Sequence, residues 1–97
     1  NLRRTSAAAS HQLEAIAVLE RSGRLAKLPR ALREMAEIRV QYPYLNLSEL
    51  AEAGGEGLTR SAVNHRLRRL VDAAERAERR GPRARIPGPR PADPSNN

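Results

Sequence analysis

Cysteine is absent from all 97 residues, which excludes disulfides and thiolate metal sites and leaves a reducing interior compatible with the chain. Phenylalanine and tryptophan are absent too, and the aromatics amount to two tyrosines. Any core must therefore be built from 12 Leu, 3 Ile, 4 Val, one Met and 16 Ala. So few large side chains favour short, closely packed helices over a sheet sandwich, which usually needs aromatic and β-branched filling. No apolar run approaches the roughly 20 residues that span a bilayer, and no signal-peptide pattern opens the chain. The first residue is Asn rather than Met, from which we expect a piece of a longer protein. The length suits one domain, near the size where folding alone becomes marginal.

Lysine is scarce, because 17 of the 18 basic residues are Arg. Residues 1–58 hold eight Lys/Arg against seven Asp/Glu, whereas residues 59–97 hold ten Arg against four acids. The net charge of +7 is thus concentrated in the second part. Such a concentration is the footprint of a polyanionic partner, with nucleic acid the foremost case.

Periodicity predicts four helices. The first spans about 6–22, capped by Thr5 or Ser6, with Ala9, Leu13, Ile16 and Glu20 on one side and Val18 and Leu19 broadening it. Gly23 is placed to end it as a left-handed cap. After a connector at 24–28, Pro29 stands as a first-turn residue of a second helix running to about Tyr42. Leu32, Met35, Ala36 and Val40 form its stripe, and Pro43 stops it. Tyr42 and Tyr44 are expected as hydrophobic plugs at that helix end. NLSE at 46–49 reads as a capping box for a short third helix with Leu47, Leu50 and Ala51 inward. AGGEG at 53–57 is too glycine-rich to stay helical and reads as a turn. Thr59 then caps a fourth helix, about 59–79, with Leu58 and Val63 as a hydrophobic staple.

The last 17 residues, GPRARIPGPRPADPSNN, contain five prolines and one large aliphatic side chain, Ile86. They cannot bury enough surface to offset ordering entropy and are expected to be a disordered tail over 81–97. The fold expected is all-α: a small four-helix helix-turn-helix domain over 1–80, followed by that Pro/Arg-rich tail.

A short capped helix, a glycine-bearing turn and a longer helix form the helix-turn-helix pattern. With Val63, Leu67 and Leu70 inward, Ser61, Asn64, His65 and Arg68 stand on the opposite side of the fourth helix. These side chains can read base edges: Arg pairs with guanine, Asn with adenine, and Ser or His donates or accepts. Arg60, Arg66 and Arg69 flank them and suit phosphates, and the helix start at Thr59 offers free amides. Asp72 and Glu75 lie at spacings that would pair with some of these arginines and turn them into a solvated face.

The segments LPRALREMAEIRVQYPYLNLSELAE at 28–52 and LTRSAVNHRLRRL at 58–70 resemble the C-terminal helix-turn-helix domain of the WhiA-type sporulation regulators. Leu28-Pro29, Leu32-Arg33-Glu34, Ile38-Arg39, Pro43 and Leu47-x-Glu49-Leu50 carry the resemblance. Above all it rests on the run from Ser61 through Val63, Asn64, His65, Arg66, Leu67 and Arg68 to Leu70. NLRRTSAAASHQLEAI resembles the link into that domain, so the likeness covers about 1–76. Ala51 stands where members often carry Gly, and the tail lies outside the pattern.

The resemblance implies a bacterial transcription factor of sporulation and cell division, cytoplasmic and associated with the nucleoid, in which this domain supplies most of the DNA affinity. It also implies an upstream domain similar to a LAGLIDADG homing endonuclease that has lost catalysis. The partner expected is double-stranded DNA. The alternative is a protein-interaction module docking on RNA polymerase, a sigma factor or a co-regulator through its first two helices. A membrane partner lacks an inserting Trp/Phe/Leu face. No enzyme is expected: His11 and His65 are isolated, no carboxylate dyad is legible, and no cofactor, metal or small-molecule substrate is called for.

Overall fold

Ser6 starts the chain's first ordered helix: its Oγ accepts from the Ala9 N–H at 3.1 Å, and α1 runs Ala7–Arg21. The computed structural model describes residues 4–80, and all the structural statements below concern these residues. The tail expected at 81–97 lies outside them. Gly23, with φ +75°, closes α1 in the left-handed region where a side chain would be strained. The buried face of α1 is Ala9, Ala15, Ile16 and Leu19. Leu13 is half-buried and Glu20 is exposed, so the inward stripe is rotated from the one that spacing alone suggested.

The connector is not irregular throughout, because Leu25–Lys27 form one 3-10 turn. Pro29 serves as the N-cap of α2, Arg30–Gln41, one position before the expected first turn. Its carbonyl accepts from the Leu32 and Arg33 amides. Arg33 also reaches back to the Leu28 carbonyl at 2.7 Å, which holds the entry of the helix. Leu32, Met35, Ala36 and Arg39 are its buried residues. Val40, expected inward, is 53% exposed, while Arg39 is 2% exposed. Seven residues past Leu32 return to within about 20° of its face, whereas eight overshoot by about 80°.

Tyr42 and Tyr44 are not plugs, at 39% and 51% exposure. Leu45, the next large residue, packs against the core instead. The capping box is present in full. Glu49 N–H donates to Asn46 Oδ1 at 2.9 Å, and Asn46 N–H donates to Glu49 Oε1 at 2.8 Å. It opens α3, Leu47–Ala53, with Leu50 and Ala51 buried. Gly57, at φ +83°, lets the turn reverse into α4, Arg60–Arg80. Leu58 is half-buried against the core and Val63 fully buried, as a staple requires.

Helix α4 is the spine of the domain, packing against α1, α2 and α3. Val63, Leu67, Leu70, Ala74 and Ala77 line its inner face. The core joins this row to Ile16 and Leu19 of α1, Leu32 and Met35 of α2, and Leu50 of α3. At seven residues α3 is far below the length at which an isolated helix is stable in water, so its packing and its box must hold it.

Candidate nucleic-acid interface

The start of α4 is organised by Thr59. Its Oγ1 accepts from the Ala62 N–H at 3.1 Å and its carbonyl from the Val63 N–H at 3.0 Å. The Arg60 and Ser61 amides stay open at the helix end, as the first amides of a helix do. Together they present partial positive charge toward solvent.

Ser61, Asn64, His65 and Arg68 are all exposed on one side, opposite the buried Val63, Leu67 and Leu70. The structure therefore brings together the four side chains that spacing assigned to one face. Arg60 and Arg69 are exposed as well. Arg66 stands apart. It is half-buried toward α2, in a groove of about 270 Å³ that also includes Glu34, Met35, Ile38, Glu56 and Leu58.

Charge on α4 is segregated along its length. Residues 59–70 contain four arginines and no acid, while the acids of the helix, Asp72, Glu75 and Glu78, come later and are matched there by Arg76, Arg79 and Arg80. Of these arginines Arg60 alone stands in the first turn, where the helix dipole disfavours a cation; Arg79 and Arg80 end the helix where it favours them. Among the described residues, no ion pair joins Arg66, Arg68 or Arg69 to Asp72 or Glu75; the ion pair present is Arg30–Glu34 on α2, at 2.9 Å.

Arg39 entered the sequence reading only through the family resemblance, with no structural role assigned to it. Its guanidinium donates to the Tyr42 carbonyl at 2.9 Å, the Leu45 carbonyl at 2.7 Å and Gln12 Oε1 at 3.2 Å. Its Nε has no hydrogen-bond partner among the described residues. Burial pushes its pKa below the ordinary arginine value. These bonds tie α1 and α2 to the loop that enters α3, one residue before Asn46, and so set where the helix-turn-helix begins. The signal in the sequence was the break in α2's apolar stripe at position 39.

A family model described as the WhiA C-terminal helix-turn-helix domain matches residues 1–74. The chain belongs to that family. A probable cell division protein WhiA from Clostridium tetani is 43% identical over 81 residues, covering 84% of this chain and 26% of the relative. One from Clostridium perfringens strain 13 is 47% identical over 75 residues, covering 77% of this chain and 24% of the relative. One from Heliobacterium modesticaldum is 44% identical over 81 residues, covering 84% and 25%. The chain thus spans about a quarter of the length of the curated relatives it matches. No solved structure matches it.

In this WhiA-type domain, α3 and α4 are the helix-turn-helix pair, with residues 54–59 as the turn. Among the described residues, no helix is long and apolar enough to cross a membrane, and no His/Asp/Glu group is arranged to hold a metal ion.

Proposed function

We propose that this domain binds double-stranded DNA sequence-specifically, with the first half of α4 in the major groove and α3 crossing the backbone. One observation carries the reading: residues 59–70 hold four arginines and no acid, and Arg60, Arg68 and Arg69 are exposed beside Ser61, Asn64 and His65. A polyanion at that surface makes the arrangement favourable. Ser61, Asn64, His65 and Arg68 are the readers of base edges. Thr59, Arg60, Arg66 and Arg69 are the anchors to phosphate, Arg66 from its half-buried position at the flank.

The likeness to WhiA proteins supports a role as the C-terminal domain of a bacterial transcriptional regulator, acting in the cytoplasm at the nucleoid and catalysing no reaction. We assign residues 1–80 as the binding unit and 81–97 as an extension to it.

Selection of bound duplexes from a random pool, repeated at two salt concentrations, tests the reading. An enriched motif that persists at the higher salt is expected. Replacing Arg68 by Ala should then cost on the order of 1–3 kcal/mol on the selected duplex and relax the preference at one position. If the variant discriminated cognate from scrambled duplex as well as the parent does, Arg68 would not be a base reader.

A second reading, docking on RNA polymerase or a sigma factor, draws on the exposed Val40, Tyr42 and Tyr44 at the end of α2. Capture of polymerase that needs no DNA and survives high salt would favour it.

A further inference from the structure

The connector between α1 and α2 carries a second cluster of cations that sequence order hides. Arg24, just before the 3-10 turn, and Lys27, at its end, line with Arg76 of α4 a groove of about 180 Å³, floored by Leu19, Leu28 and Ala73. No carboxylate lines it. Among the described residues none of the three cations is engaged in an ion pair, whereas Arg30, a few residues on, is held by Glu34. Three cations lining one groove with no carboxylate among them give it a positive potential that favours an anion.

The groove's place on α4 says which anion. Arg69 lies four residues before Ala73 and seven before Arg76, so helical spacing puts all three on one flank. Arg69 is itself one of the phosphate anchors proposed above, on the exposed first part of the face. The flank therefore continues from the edge of the reading face down to the connector, as a backbone strand would pass beside a helix seated in the groove.

We infer that Arg24, Lys27 and Arg76 form a phosphodiester clamp that holds the DNA backbone beside the site read by α4. The inference rests on the proposed DNA binding and extends the contact to a segment outside the helix-turn-helix. The clamp positions the duplex and carries no sequence information.

The test is a salt titration of duplex binding by fluorescence anisotropy with the full chain. The Arg24→Gln/Lys27→Gln variant should lower the slope of log K against log salt by about 1.8, at about 0.9 per phosphate contact, and leave the ratio of cognate to scrambled affinity unchanged. Lys27 is exposed, so Lys27→Gln alone cannot disturb the core and should lower the slope by about 0.9. Arg30→Gln, removing a cation already held by Glu34, should match the parent.

A parent that prefers its selected duplex, beside Lys27→Gln and double variants with the parental slope, would overturn the clamp and leave the reading helix standing. A parent that binds no duplex would overturn both. Inorganic phosphate, followed by the amide shifts of residues 24–28, checks the other source of the same chemistry. Weak, unsaturated shifts are expected; saturation in the micromolar range would make the groove a free-phosphate site and overturn the assignment to DNA.

Discussion

Arg39 occupies a position on α2 where helical spacing calls for an aliphatic side chain, and its burial is offset by the bonds its two terminal nitrogens make, although Nε is left without a partner. Two backbone carbonyls and one amide oxygen accept from it. Each would otherwise lose a charge-assisted bond near the core, and the neutral replacements cannot reach all three. Arg39→Ala should destabilise the domain by about 2–4 kcal/mol in urea unfolding, and Arg39→Lys by less, since an ammonium keeps the charge and some donors although it lacks the planar fork that makes all three bonds. A loss under about 1 kcal/mol would mean the loop into α3 is held by something else. The exposed residues of α4 behave differently. Ser61, Asn64, His65 and Arg68 make no core contact, so their replacement should alter duplex preference with little change in unfolding midpoint. Their exposure was legible from periodicity; the half-burial of Arg66 was not, because it depends on where α2 and the turn at 54–58 lie.

At the scale of elements, the ends of the helices were more legible than their faces. Ser6, Gly23, Asn46 with Glu49, and Thr59 all act in the capping roles their types suggested, since a cap is a contact within a few residues. The faces of α1 and α2 came out rotated, with Leu19 and Arg39 inward and Glu20 and Val40 outward. A face is chosen by the neighbours that cover it, and these are remote in sequence. Two changes separate the turn from the cap. Gly57→Ala forces a side chain into a left-handed backbone and should cost about 1–2 kcal/mol by thermal or urea unfolding. Asn46→Ala should cost about 1 kcal/mol, while Asn46→Ser retains most of the cap. Because α3 is so short, both should also weaken duplex binding by loosening the helix proposed to cross the backbone. Unchanged affinity in a destabilised Asn46→Ala variant would detach α3 from the contact.

For the whole molecule, the governing feature is that one 21-residue helix forms the core and, in the proposed function, the interface as well. At about 1.5 Å per residue it is roughly 30 Å long, more than a major groove can seat, so its second half is left to pack on α1. Duplex affinity should fall steeply with salt, log K losing about 0.9 per log unit of salt for each phosphate neutralised. A flat dependence in anisotropy titrations would contradict an arginine-anchored contact and favour the docking reading. The sequence alone determined the helix count, the caps, the inward row from Val63 to Leu70 and the charge segregation of α4, because each is set by local spacing or composition. Only the tertiary structure decided that Arg39 is buried, that Tyr42 and Tyr44 are exposed, and that Arg24 and Lys27 meet Arg76. Those outcomes depend on contacts between residues tens of positions apart. The angle at which α1 and α2 meet α4 sets them, and no periodicity within one helix encodes that angle.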